Sequence, residues 1–182
     1  MASTITPEQY QQLWDTMDIL MYRDGELHST AAAIFANKHR YEDVSKLTGV
    51  PWYVIAPIHY RESSLNFKRH LHNGDPLTAR TTHVPAGRPF AGNPPFTWEE
   101  SALDALTMRG LNKPRIWSTP EMLKQLEAFN GLGYQKRGIN TPYLWAGTNH
   151  YVGGKYVADG KFDATIKDKQ LGCAAIIKEL FL

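Results

Sequence analysis

The chain has 182 residues, 42% hydrophobic and 21% charged, with twenty basic against eighteen acidic side chains. That length and apolar content bound it to a single globular domain, and the low, mixed charge excludes a disordered chain. A formal net charge of +2 gives none of the clustered basic surface that marks a nucleic-acid binder, and the lone cysteine excludes an internal disulfide.

The first residues, Met1-Ala2-Ser3-Thr4-Ile5-Thr6, hold neither a basic region nor an apolar core, so no secretory signal is read there and synthesis in the cytoplasm is expected. Thr6-Pro7-Glu8-Gln9 predicts an N-cap with proline in the first turn. The helix it opens carries Tyr10, Leu13, Trp14, Met17, Leu20 and Met21 as one apolar stripe and is expected to run to Asp24-Gly25. Further helices are expected over Ser29–His39 and Tyr41–Leu47, and from Pro51 onward with a break or kink at Pro57. The longest wholly apolar run, Ala31 to Ala36, is far below the ~20 residues of a membrane span, so no membrane insertion is expected.

Between Asn66 and Phe96 the texture turns to proline, glycine and histidine. A loop of this length inside a compact domain is usually functional, and Thr78–Val84 alternates in a way that allows short strand pairing. Thr97-Trp98-Glu99-Glu100 reads as a capping box opening a helix to about Arg109. Ser118-Thr119-Pro120-Glu121 opens another, which ends at Asn130-Gly131. A second irregular stretch, Gly131–Asp163, is rich in Gly, Tyr and Asn, and a last helix is expected over Thr165–Leu182. Cys173, in an apolar run there, predicts a buried structural thiol. The fold class is mostly α, a single domain with two long loops and room for a small β-hairpin.

The chemistry begins on the helix from Pro51. Ile55, Ile58 and Glu62 share one face, so the carboxyl projects from the buried side at the helix end where the long loop starts. Apolar surroundings raise a carboxyl's pKa, which is what a general acid near neutral pH requires. A glutamate pointing to solvent at a frayed terminus fits the spacing too. Ser63 and Ser64 follow, within reach of the carboxyl or of the last helical carbonyls.

His59-Tyr60-Arg61-Glu62-Ser63-Ser64-Leu65-Asn66-Phe67 resembles the catalytic Glu-Ser motif of the lysozyme-like superfamily, particularly soluble lytic transglycosylases and goose-type lysozymes. His72-Asn73-Gly74-Asp75-Pro76-Leu77, with Thr81 to Phe90, is similar to a loop of phage and bacterial lysozyme-family proteins. Phe129-Asn130-Gly131-Leu132-Gly133-Tyr134 and Thr141 to Tyr151 are similar to a second signature of that group. The Gly-Leu-Met-Gln segment of soluble transglycosylases is missing. The resemblance implies a lysozyme-like domain that cleaves the β-1,4 bond between N-acetylmuramic acid and N-acetylglucosamine in peptidoglycan, with Glu62 as general acid. It also implies a phage endolysin, or a tail-associated lysin, released from the cytoplasm to act as a monomer on the cell wall in the periplasm.

Two endings of the reaction stay open. In a transglycosylase the same glutamate turns base and the muramic 6-hydroxyl closes an anhydro ring. In an inverting lysozyme a second carboxylate activates water. Asp75 is the candidate for that carboxylate, and an Asx-turn explains its Gly-Asp-Pro setting equally. Glu99 and Glu100 read first as helix-dipole acids, with Glu100 a minor alternative. Thr81, Thr82 and His83 are candidates to bond an N-acetyl group or the attacking water. Asn130 and Tyr134 belong to the second signature. Tyr143, Trp145, Asn149 and Tyr151 would line a sugar groove between the two long loops and the helices, although each alone is as readily a packing residue. No cofactor is expected. Two rivals remain. One is a zinc-dependent wall amidase or peptidase using His70, His72, Asp75 and His83, and the other is a non-catalytic wall-binding module.

Overall fold

A computed structural model describes residues 5–158 and 160–182; the first four residues of the segment read for a secretory signal lie outside that range. The described helices are α1 (Pro7–Asp15), α2 (Asp24–Ala36), α3 (Lys38–Thr48), α4 (Trp52–Ser63), α5 (Trp98–Met108), α6 (Thr119–Asn130), α7 (Pro142–Trp145) and α8 (Cys173–Leu180). Strands β1 (Lys155–Ala158) and β2 (Lys161–Asp163) pair antiparallel. The protein is therefore mostly α with one small β-hairpin, as composition and periodicity predict. No helix among the described residues is long and apolar enough to cross a membrane. The chain divides into two compact units, one formed by residues up to Ala31 and from Trp117 onward, the other by Ala32–Ile116.

In the first unit, α1 packs on α6 and α7 packs on α6 and α8. The N-cap forms as expected, and Gln9 completes it as a capping box, Gln9 and Thr6 exchanging side-chain and backbone bonds. The helix nevertheless ends at Asp15 and not at Asp24. Asn149 causes this: its side-chain amide donates to the Thr16 carbonyl and accepts from the Asp18 N–H, both at 3.0 Å. Leu20 then donates to the Gly147 carbonyl at 3.0 Å, so the chain leaves helical geometry for an extended pairing beside Gly147–Asn149. The next helix starts at Asp24, ahead of the expected Ser29, and stops at Ala36.

The last helix starts at Cys173 and not at Thr165. The Asp168 N–H is taken by the Tyr151 hydroxyl at 3.0 Å and the Gln170 N–H by Asp168, so the helical ladder cannot begin there. Gly172 then lies against the backbone of α7, where a β-carbon would stand 2.1 Å from the Leu144 carbonyl oxygen. Only glycine admits that approach. Cys173 is fully buried, the structural thiol expected.

The hairpin falls at β1–β2 and not at Thr78–Val84, where the backbone is engaged otherwise, as described below. Its Tyr156 and Phe162 make edge-to-face contacts with Tyr134, with ring centroids 5.1 and 6.2 Å away.

In the second unit, α3 packs against α4 and α5. The core there is aromatic: Tyr41 meets Trp98 edge-on at 5.4 Å, and the fully buried His59 lies 4.5 Å from Phe67 and 4.7 Å from Trp98. Arg40 stacks over Phe67 at 4.0 Å and grips Glu99 with two bonds of 2.7 and 3.0 Å. Pro57 does not interrupt α4. Every residue from Val54 to His59 is buried, and that packing outweighs the one helical bond a proline removes.

Candidate functional site

Glu62 occupies the last turn of α4, half-buried, on the face of the fully buried Ile55 and Ile58. The helix ends abruptly after it. Ser63 turns its hydroxyl back onto the His59 carbonyl at 3.3 Å. Ser64 and Leu65 then both adopt left-handed backbone, φ 53° and 60°. Two successive non-glycine residues in that region cost about 1 kcal/mol each or more. Bonds from the Ser64 and Leu65 N–H groups to the Tyr60 and His59 carbonyls hold them in place.

The chain then folds back as a tight turn. His70 donates to the Asp75 carbonyl at 2.7 Å and Leu77 to the Lys68 carbonyl at 3.1 Å, and Arg69 and Pro76 form an isolated antiparallel bridge. At the tip, Gly74 has φ +79°, and a β-carbon on it would stand 2.7 Å from the Glu62 main-chain oxygen. The Asn73-Gly74-Asp75 tip therefore sits directly on the end of α4. Sequence reading missed this role of Asn73 and Gly74; their place between His72 and Asp75, in a pair that favours left-handed turns, was the available signal.

Asp75 is buried, and its carboxylate is held by four donors, the Thr82 hydroxyl at 3.4 Å among them. Oδ2 accepts the Thr82 N–H at 2.8 Å and the His83 N–H at 3.0 Å, while Oδ1 accepts from His83 Nδ1 at 2.7 Å. Burial pushes the carboxyl up, but the backbone and ring donors of His83 and the Thr82 N–H outweigh it and hold it well below the usual carboxylate range. The Asx-turn here belongs to Asn73, whose side chain caps the Asp75 N–H at 3.0 Å. Asp75 itself reaches across to residues 82 and 83, and this engagement is what prevents strand pairing at Thr78–Val84.

Thr81 is buried and closes a turn, accepting from the Arg88 N–H at 2.9 Å and donating to the Pro85 carbonyl. Thr82 and His83 are exposed. The His83 carbonyl accepts from Asn73 Nδ2 at 2.9 Å, so this exposed residue is tied on both sides of its peptide to the tip that rests on Glu62.

The loop is also fastened to α5. His70 Nδ1 lies 2.8 Å from the Ser101 hydroxyl and its Nε2 2.8 Å from the Ala79 carbonyl. His72 Nε2 meets Asp104 at 2.7 Å, and Arg88 pairs with Asp104 through two bonds of 2.8 Å. Burial lowers the His72 pKa, with Asp104 opposing. Both ring nitrogens of His70 are thus engaged within the protein, and among the described residues no group of three His, Cys, Asp or Glu side chains is arranged to hold a metal ion. The donor set that the zinc reading needs does not assemble. Glu100 is engaged in the Thr97 capping box, and Glu99 holds Arg40.

The remaining expected residues belong to the first unit. Asn130 is exposed at the end of α6. Tyr134 is buried, its hydroxyl accepting from the Tyr156 N–H at 3.1 Å. Tyr143 and Trp145 are core residues of α7, 2% and 0% exposed, so Trp145 offers no ring face to a ligand. The Asn149 amide is spent on Thr16 and Asp18. The Tyr151 hydroxyl bridges the Gly154 carbonyl and the Asp168 N–H, both at 3.0 Å. The aromatic cluster expected to line a groove is, in these residues, packing and loop bracing.

Compared with protein-family models, curated proteins and solved structures, the chain matches none.

Proposed function

We propose that the protein is a muramidase that cleaves peptidoglycan strands between N-acetylmuramic acid and N-acetylglucosamine, with Glu62 as general acid. The observation that carries this reading is the seating of the Gly74-Asp75 tip on the Glu62 carbonyl. It sets the segment that carries the ionised Asp75 carboxylate against the helix end that carries the half-buried Glu62. Two carboxyl groups in unlike surroundings are the usual requirement for protonating a glycosidic oxygen while stabilising the oxocarbenium character that develops at the sugar carbon. The Glu-Ser, Gly-Asp-Pro-Leu and Asn-Gly-x-Gly-Tyr segments, in that order along the chain, support the same reading. So does a rigid loop, which suits a glycan site better than a mobile one. With it goes a lytic role of the phage type, exercised on the cell wall.

The test is Glu62→Gln, which keeps the shape and cannot donate the proton. Turnover of purified peptidoglycan is expected to fall by about 10²-fold or more. A folded variant with unchanged turnover refutes the assignment. Mass spectrometry of the products then separates the two endings, since an anhydro-muramic terminus is one water lighter than a reducing one.

A further inference from the structure

We propose that His83, held by Asp75, is the second catalytic group of this site and takes the proton from the attacking hydroxyl; this rests on the muramidase reading above.

A base must offer an accessible lone pair to the proton it removes. The Asp75 carboxylate is buried, and it already accepts two backbone N–H groups, the Thr82 hydroxyl at 3.4 Å and one ring N–H, so a substrate hydroxyl has little access to it. What it presents to solvent is the imidazole it holds. The His83 side chain is 81% exposed, with Nδ1 committed to Asp75 at 2.7 Å. Among the described residues no hydrogen-bond partner meets its Nε2. A carboxylate on Nδ1 fixes the tautomer whose Nε2 is the acceptor and stabilises the imidazolium that proton transfer creates. An exposed histidine on a loop normally has no fixed place, yet this one has its N–H bonded to Asp75, its carbonyl to Asn73, and both of those residues in the tip that rests on Glu62. Arg88 of this loop and Asp104 of α5 are bonded to each other.

In hydrolysis, His83 Nε2 takes a proton from water as the water oxygen bonds to the sugar C1. The C1–O bond breaks, and its electron pair takes the Glu62 proton. Exchange with solvent then returns His83 to neutral and Glu62 to its acid form. In the anhydro ending, the muramic 6-hydroxyl replaces water and the proton count is unchanged.

Three variants decide it, assayed for muropeptide release from purified peptidoglycan with folding checked by thermal melting. His83→Ala is expected to lower kcat about 100-fold with little change in KM, and added imidazole to restore turnover saturably. His83→Asn keeps a donor for Asp75 without a base, and is expected to be as slow as the alanine variant. Wild-type turnover by either variant, or loss in His83→Ala without rescue by imidazole, overturns the role. If the wild-type protein releases no muropeptides, or Glu62→Gln matches it, the muramidase reading fails and this proposal with it. Retained cleavage that depends on Glu62 and not on His83 overturns this proposal alone.

Discussion

Gly74 and Glu62 meet backbone to backbone: a β-carbon on the glycine would stand 2.7 Å from the glutamate's carbonyl oxygen. The contact involves no side chain of either residue, so it fixes where the loop tip sits relative to the helix whatever Glu62's carboxyl is doing. Asp75 and, through it, His83 take their positions from that contact.

Gly74→Ala tests the contact. The left-handed φ and the clash with a backbone oxygen act in the same direction, and the substitution is expected to destabilise by about 1–3 kcal/mol. Peptidoglycan turnover per folded molecule should fall as well, because the tip must lift from α4. Urea denaturation and turnover below the melting range measure the two effects. An alanine variant as stable and as active as wild type would show that the tip does not bear on the helix.

His59 predicts an acid limit to stability. Burial lowers its pKa to about 4, helped by the Arg40 charge and opposed by the Asn66 backbone. The unfolded chain takes up the proton near pH 6.5 and the folded chain only near 4. Stability from the neutral ring is therefore complete above about pH 6.5 and lost as pH falls through 4, a swing of about 3 kcal/mol. Denaturant midpoints followed from pH 7.5 to 4 should decline, and His59→Phe should flatten that decline. Parallel curves for the two proteins would rule out His59 as the cause.

Glu127 predicts the opposite slope. It is fully buried, with the Tyr10 hydroxyl 2.5 Å from Oε2 and no partner for Oε1 among the described residues. Burial raises its pKa, and the Tyr10 hydroxyl and Gln135 amide oppose this. A carboxyl whose folded pKa is raised favours the fold fully below its unfolded value, and that contribution is lost as pH rises through the folded value. Glu127→Gln, which keeps an oxygen for Tyr10, should gain on wild type as pH rises from 4 to 8. A stability difference that does not change with pH would refute this.

Local signals read well in this chain. The N-cap at Thr6 and the capping box at Thr97 form as the spacing predicts, because the partners lie within one turn. The half-buried place of Glu62 at the end of α4 is legible for the same reason, since Ile58 and Ile55 share its face. What failed was set by distant partners. The stripe through Met17, Leu20 and Met21 is helical in period, yet Asn149 draws the chain out of the helix after Asp15, and Met21 ends 86% exposed. Nothing near Thr165 warns that Tyr151 will claim the Asp168 N–H. At the site, Gly-Asp-Pro suggested a self-contained turn, and the carboxylate instead reaches His83 across a second turn. Trp145 looked like a sugar platform because its neighbours are irregular; its helix packs on α6 and α8, from elsewhere in the chain, and it is fully buried.

The fastening of the Asn66–Phe96 loop to Ser101 and Asp104 bears on engineering. Loops that carry recognition are commonly exchanged between scaffolds on the assumption that only their ends must match. Here the loop's middle is soldered to one helix face through His70, His72 and Arg88. A graft of the loop alone would leave the buried His72 and Arg88 without the Asp104 carboxylate, and His70 with only its Ala79 carbonyl. The transferable unit is residues 66–108, loop and helix together, and libraries meant to alter specificity are best confined to its outward side chains: Thr82, Val84 and Phe90.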